Sequence, residues 1–391
     1  MIRISDLERQ YVLESLQNAF ETSKNGIFNN RLEKEFSKLF NMEYGIGHVN
    51  GTATMHTALN ACGVGKGDEV IVPPLTMSST SLAVLHNGSI PVFADVDMRT
   101  FNISAEGIKK VLTPNTKAII TVSLYGLSPE YDEIIELCES NNIFLIEDNA
   151  ECVLGTYKNK YVGQFGHFSS FSFQASKHLT CGEGGMLLTN DPLLADKARQ
   201  FSSLGYAGVS GKQGKITKSN IQDPEYNRHV SLGFNYRMSE LQAAVALGQL
   251  QRSDDLVRAR TDVAKLFDSA IEPSSLFRKQ QSPAYSKNTY WTYGVVMQTD
   301  NPAQDWYEFR DMFVKNGGDG FYAAWKLSYM ESLFQGDIQQ YPEIWQNYET
   351  GLCPNAEYLQ PRMLQFKTNY WDINEAIAQV EVLKRTIKEF K

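Results

Sequence analysis

Lys177 lies in the stretch Ser172-Phe173-Gln174-Ala175-Ser176-Lys177, which runs on through His178, Leu179, Thr180 and Cys181 to Gly182-Glu183-Gly184-Gly185. A hydroxyl precedes the lysine by five residues and a glycine-rich turn follows it; the apolar runs 168–173 and 186–188 on either side have strand character. Desolvation disfavours the ammonium form of a lysine held near the ends of buried strands, so such a residue gives up its proton more easily than one in water. A neutral amine attacks an aldehyde, and the position suits a Schiff base with pyridoxal phosphate. A surface lysine beside a tight turn has the same local sequence.

That chemistry makes three further demands. An acid must hold the pyridine nitrogen protonated, so that the ring can accept the electrons of a carbanion. Asp148 ends the apolar run 143–146 plus Glu147, and ligands of open α/β sheets sit at the carboxyl ends of strands. Asp148 also fits a plain helix cap. The phosphate needs a cradle, and Asn50-Gly51-Thr52 falls between a strand and a helix, where free N–H groups and the helix dipole face an anion. Gly51 allows close approach, Thr52 adds a hydroxyl, and Ser172 could supply a donor from the other side; a turn with an N-cap reads the same way. Something must also pack on the flat ring, and Met77 is the candidate, just past a strand end. Gly63-Val64-Gly65-Lys66-Gly67 lies between a helix and a strand, the wrong order for a dinucleotide fingerprint.

The elements that must position these residues alternate. Helical spacing marks 6–20 and 29–40; strands are expected at 44–49, Glu69–Val72, 91–94, 118–124 and 143–146, with helices at 52–61, Ser79–His86, 104–112 and 131–140 between them. Continuous apolar strands alternating with helices are the pattern of a mostly parallel sheet covered on both faces. A helical stretch from 239 to 250 continues towards 267, and 280–287 reads as a polar surface connection. We therefore expect a large α/β domain over 1–255 and a smaller α+β domain over 256–391.

The 391 residues, 42% hydrophobic and 21% charged, fit a soluble globular enzyme. A formal charge of -8 argues against a general nucleic-acid binder. The five cysteines are scattered without CxxC spacing, which is neither a disulfide framework nor a zinc site and reads as a reducing cytoplasm. Cys181 reads as a small residue filling the turn. No basic-then-apolar leader and no membrane-length apolar run is seen, so a cytoplasmic protein without a metal or a membrane partner is expected.

Taken in order, Asn50-Gly51-Thr52, then 68–73, then Glu147-Asp148-Asn149-Ala150, then Ser172 to Lys177 with its glycine turn, then Gly233-Phe234-Asn235-Tyr236-Arg237-Met238 resemble the DegT/DnrJ/EryC1/StrS aminotransferases. These are fold-type-I pyridoxal phosphate enzymes that mostly aminate keto sugars. The resemblance covers roughly 29–250, over half the chain, with Tyr290-Trp291-Thr292-Tyr293 a late echo. It implies that Lys177 forms the Schiff base and moves the proton, that Asp148 pairs with the pyridine nitrogen, and that Glu151 contacts the cofactor. It also implies that Thr52 and Ser172 hold the phosphate, joined by Asn235 from a neighbouring subunit, which makes a homodimer with shared sites. The chain departs from the pattern at Met77, where many members carry a stacked aromatic residue, and at 317–326, which lies near the substrate in relatives. The implied reaction moves an amino group from L-glutamate to a keto group of a nucleotide-linked deoxysugar, perosamine synthase-like, for cell-surface polysaccharide. The alternatives are another oxo compound (an oxo-inositol, an oxo-octulosonate or a small keto phosphate) or a non-catalytic regulator on the same fold.

Overall fold

The computed structural model describes residues 3–18, 20, 27–336 and 348–390. Two helices open the chain, α1 (Asp6–Gln17) and α2 (Ile27–Leu39). Ser5 starts α1 through a capping box with Glu8, whose buried carboxylate also pairs with Arg252 at 2.7 Å. There follow β1 (Tyr44–His48), α3 (Gly51–Ala61), β2 (Glu69–Val72), α4 (Ser79–His86), β3 (Ile90–Phe93), α5 (Ala105–Val111), β4 (Thr116–Val122), α6 (Tyr131–Asn141) and β5 (Phe144–Asp148). The short strands β6 (Thr156–Tyr157) and β7 (Lys160–Tyr161) lead to β8 (Phe168–Ser172), β9 (Gly185–Thr189), α7 (Pro192–Phe201) and α8 (Lys218–Gln222).

The central sheet has seven strands in the order β1-β9-β8-β5-β4-β2-β3. Only β9 runs against the rest; β8, β5, β4, β2 and β3 pair in parallel. Side chains alternate between its faces. Val70, Val72, Ile120, Ile146 and Leu187 pack with Met55 and Leu59 of α3 and Val84 of α4. On the other face Ile71, Ile119 and Leu145 meet Ile108 of α5 and Ile134 of α6, while Phe171, Met186 and Leu188 meet Phe36 of α2. Burial on both sides explains why the strands read as continuous apolar runs. The expected strands and helices up to 188 all form, within a few residues of their expected ends.

The helical stretch from 239 is two helices, α9 (Glu240–Leu250) and α10 (Ser253–Ile271). Arg252 lies between them at φ -117°, ψ 13°, outside helical geometry. The α10 helix serves both halves of the molecule: Leu256 and Val257 join the core around α2, and Val263, Ala264 and Phe267 join the C-terminal core. That second core lies on an antiparallel sheet of order β10-β12-β14-β13, made of β10 (Phe277–Lys279), β12 (Thr292–Met297), β13 (Tyr322–Ala323) and β14 (Met363–Lys367). Helices α11 (Pro302–Lys315) and α14 (Ile373–Glu389) cover it; α12 (Ser332–Gln335) and α13 (Pro354–Leu359) are short.

The stretch 280–287 is more than a surface connection. Gln280 is buried and donates to Thr100 O and Leu124 O, and Ser286–Lys287 forms β11, which pairs with β6. Gln280 alone of the stretch is buried, its donors satisfied by backbone carbonyls; 281–287 are exposed or half-buried, as a surface connection is.

Candidate active site

The carboxyl ends of β5 and β8 and the amino end of α3 meet at one cavity of about 610 Å³. Asn50, Gly51, Thr52, Met77, Asp148, Glu151, Ser172 and Lys177 all line it, so seven of the expected site residues besides the cap Asn50 come together. Asn235 does not. It is exposed in the loop before α9, bridged to Ser203, and does not line this cavity of its own chain.

Two glycines let the cradle form. Asn50 Oδ1 accepts the Ala53 N–H at 2.8 Å and caps α3, whose first N–H groups lack intrahelical partners. Gly51 passes so close to β8 that an added Cβ would lie 3.0 Å from Ser172 Cβ. Gly185 pairs with Ser172 across the β8–β9 ladder, and a Cβ there would lie 2.7 Å from Asn50 C. The glycine turn after the lysine thus brings the α3 amino end and the Ser172 hydroxyl to one corner. Met77 stands at the rim, 47% exposed.

Two buried carboxyls face the lysine region. Asp148 is 3% exposed, and accepts from Thr80 Oγ1 at 2.9 Å and from the Ala150 N–H at 3.1 Å. Burial pushes its carboxyl above the ordinary range, against the pull of these donors and of Lys177. Glu151 Oε1 lies 3.2 Å from Lys177 Nζ, and its Oε2 accepts the Tyr125 N–H at 3.0 Å. Burial raises Glu151 too, opposed first by the adjacent lysine. Tyr125 adopts φ 60°, a left-handed conformation uncommon for a tyrosine, and there its N–H meets Glu151. Cys181 is pushed up to about 12 by burial, as suits a turn-filling thiol.

The sequence reading did not place the aromatic wall of the site. Trp291 lies with its ring centroid 4.3 Å from Lys177 Nζ and stacks on Trp325, centroids 5.7 Å apart at 15°. Trp291 lies in the segment 290–293 and Trp325 in 317–326, and no local pattern marks either as part of the site. Thr80, which holds Asp148, carries no signal beyond a hydroxyl at a helix start. A larger cavity of about 1100 Å³ adjoins the first and shares Ser176, Trp291 and Trp325 with it. Among the described residues no group of His, Cys, Asp and Glu side chains could hold a metal ion.

The residues fit pyridoxal phosphate. An α-helix amino end with two hydroxyls suits its phosphate, a buried carboxyl above its ordinary range suits a pyridinium N–H, and the Lys177 amine in the same cavity suits the aldehyde. Known proteins agree. The sequence profile described as the DegT/DnrJ/EryC1/StrS aminotransferase family matches residues 3–370. The chain is 36% identical over 292 residues to GDP-perosamine synthase of Escherichia coli O157:H7, covering 75% of each. It is 37% identical over 295 residues to GDP-perosamine synthase of Caulobacter vibrioides, again covering 75% of each. The solved aminotransferase of Psychrobacter cryohalolentis superposes with a TM-score of 0.85 at 29% identity, over 99% of this chain and 98% of that one. Profile, relatives and fold converge on the function to which the lysine pocket points: the chain belongs to the DegT/DnrJ/EryC1/StrS aminotransferase family and works with pyridoxal phosphate.

Proposed function

We propose that the protein transfers an amino group from L-glutamate to a keto group of a nucleotide-linked deoxysugar, perosamine synthase-like, in the cytoplasm and for cell-surface polysaccharide. The observation that carries the reading is the convergence of Lys177, Asp148, Glu151 and the α3 amino end on one cavity. When bound, pyridoxal phosphate supplies an electron sink for the bond-breaking at carbon. Lys177 Nζ would hold the aldehyde and move a proton; Asp148 would keep the pyridine nitrogen protonated; Gly51 N–H, Thr52 and Ser172 would hold the phosphate. Glu151 Oε1 offers a proton acceptor 3.2 Å from Nζ. The adjoining cavity of about 1100 Å³ leaves room for an acceptor much larger than a keto acid.

The working unit in this reading is a homodimer in which Asn235 serves the neighbour's phosphate. Its exposure, beside exposed Val230, Leu232 and Phe234, supports a contact there. We place the change between the two domains within α10, just past residue 255, where Leu256 and Val257 still pack in the first core and Val263 onward joins the second. A second reading, amination of an oxo-cyclitol, is favoured by a 34% identity over 276 residues to L-glutamine:2-deoxy-scyllo-inosose aminotransferase of Micromonospora echinospora. The deciding experiment incubates loaded enzyme and glutamate with a panel of keto sugar nucleotides, oxo-cyclitols and keto phosphates, read by mass spectrometry. Turnover of an oxo-cyclitol alone replaces the first reading by the second. Borohydride should fix the cofactor onto Lys177, and Lys177→Ala should fold yet lose the glutamate half-reaction; full turnover in that variant ends the proposal.

A further inference from the structure

We propose that Arg260 of α10 is the positioning residue for Lys177, fixing both the backbone that carries the amine and the indole ring packed against it. The inference rests on Lys177 being the amine that takes the cofactor.

Arg260 is 2% exposed. Its Nη2 donates to Ser176 O at 2.8 Å and to Lys177 O at 3.2 Å, and its Nη1 donates to Trp291 O at 2.7 Å. Nη1 also reaches Thr368 Oγ1 at 3.3 Å, and that hydroxyl lies 2.9 Å from Trp291 O. Trp291 returns to the same loop, its Nε1–H donating to Ser176 O at 3.0 Å, and its ring faces Lys177 Nζ at 4.3 Å. One guanidinium therefore holds two separate segments in register: the lysine loop, and the lead-in to β12 that carries the aromatic wall. Arg3 adds a second grip on the loop, donating to Lys177 O at 3.1 Å.

The chemistry is more than helix-to-loop adhesion requires. Among the described residues Arg260 bonds to backbone carbonyls and one hydroxyl, with no carboxylate partner. Burial, helped by Arg3, lowers its pKa to about 9. A neutral amide could join two segments without burying a charge, but not with a rigid planar fork that serves three carbonyls at once. Lysine keeps the charge and loses the fork. Because α10 packs in both cores, the guanidinium also ties the register of the amine to the seating of the C-terminal half.

The test compares wild type and Arg260→Lys, both loaded with pyridoxal 5'-phosphate. Borohydride reduction and peptide mass locate the trapped lysine; the pH midpoint of the visible band is read without substrate; the glutamate half-reaction is followed by stopped flow. We expect Arg260→Lys to fold and to trap the cofactor on Lys177. Its band midpoint should fall by roughly half a unit to one unit, because a ring no longer held against the nitrogen stops favouring the charged form. Its half-reaction should slow by about tenfold or more at an unchanged apparent Kd for glutamate, as misplacement of a reacting group does. A lost structural contact alone would lower Tm without moving the midpoint. Wild type that fails to trap on Lys177 defeats the reading of the lysine. Wild-type trapping with an unmoved midpoint and rate in folded Arg260→Lys overturns the role of Arg260 alone. Should Arg260→Lys not fold, Arg260→Gln takes its place, keeping N–H donors for the carbonyls and losing the charge and the three-way fork. A downward shift in folded Arg260→Gln supports the proposal, and an unmoved midpoint overturns it.

Discussion

Gly185→Ala tests whether the glycine turn exists to let α3 approach the sheet. A methyl at Gly185 would lie 2.7 Å from both C and O of Asn50 and 3.0 Å from Gly51 N, while ordinary contact begins near 3.4 Å. The two backbones must part by about 0.7 Å, and no rotamer relieves a clash between main chains, so we expect roughly 1–3 kcal/mol of lost stability. The group displaced is the set of N–H donors at the α3 amino end. Moving one charge-assisted N–H out of reach of a phosphate costs about 1.5–3 kcal/mol, or roughly 10- to 100-fold in cofactor Kd. Gly51→Ala is the milder case: its closest contact is Ser172 Cβ at 3.0 Å, so a few tenths of an ångström suffice. Gly65→Ala is the control, since an added Cβ there meets nothing within 4 Å. Titrating apo protein with pyridoxal 5'-phosphate by absorbance, alongside thermal melts, should rank Kd as wild type and Gly65→Ala lowest, then Gly51→Ala, then Gly185→Ala. Folded Gly185→Ala with the wild-type Kd would refute the reasoning and place the phosphate elsewhere.

Asp148→Asn should slow turnover on the order of a hundredfold, because the proposed reaction relies on its charge to keep the ring nitrogen protonated, while raising the apo protein's Tm at neutral pH. The sign follows from burial: a carboxyl raised above its unfolded value stabilises the fold only while protonated, and that contribution is lost as pH climbs through the folded pKa. A near-wild-type rate would leave Asp148 as no more than the acceptor for the Thr80 hydroxyl and the Ala150 N–H. Lys177→Ala and Asn235→Asp proteins, co-refolded, should recover about a quarter of wild-type activity, because half of a statistical mixture is hybrid dimer with one intact site. Hybrids that form without activity would assign Asn235 to its own subunit. On the acid side, His48 is fully buried and its pKa is lowered to about 4 by burial, so between about 6.5 and 4 the unfolded chain binds the proton and the folded one does not. Stability should fall by about 1.4 kcal/mol per pH unit from this residue across that window. His48→Gln should flatten the slope in pH-dependent urea melts, and an unchanged slope would reject the assignment.

What the sequence shows and what it hides divide along one physical line. The central strands were legible because sheet burial on both faces demands uninterrupted apolar residues such as Val70, Ile71 and Val72. Lys177, Asp148 and Thr52 were legible because a strand end or helix start announces itself locally, and position at such an end is most of what their chemistry needs. Groups whose role is created by distant segments left no local trace. Thr80 reaches Asp148 from 68 residues away, and Arg260 reaches the Lys177 loop from 83. Tyr125 contributes a backbone N–H at positive φ, which no side-chain pattern foretells. The continuous helical periodicity of 239–267 concealed its break, since Arg252 leaves the helix where its guanidinium pairs with Glu8 of α1. Gln280 was misread because its donors are satisfied by carbonyls rather than water. The same distinction bears on Glu151. From sequence it was a polar residue in a strand-end loop; in the fold its carboxylate is held between a strained Tyr125 N–H and the Lys177 amine. Burial disfavours that charge, yet two donors converge on it, so the loop after β5 holds the carboxylate against the amine rather than where water would solvate it best.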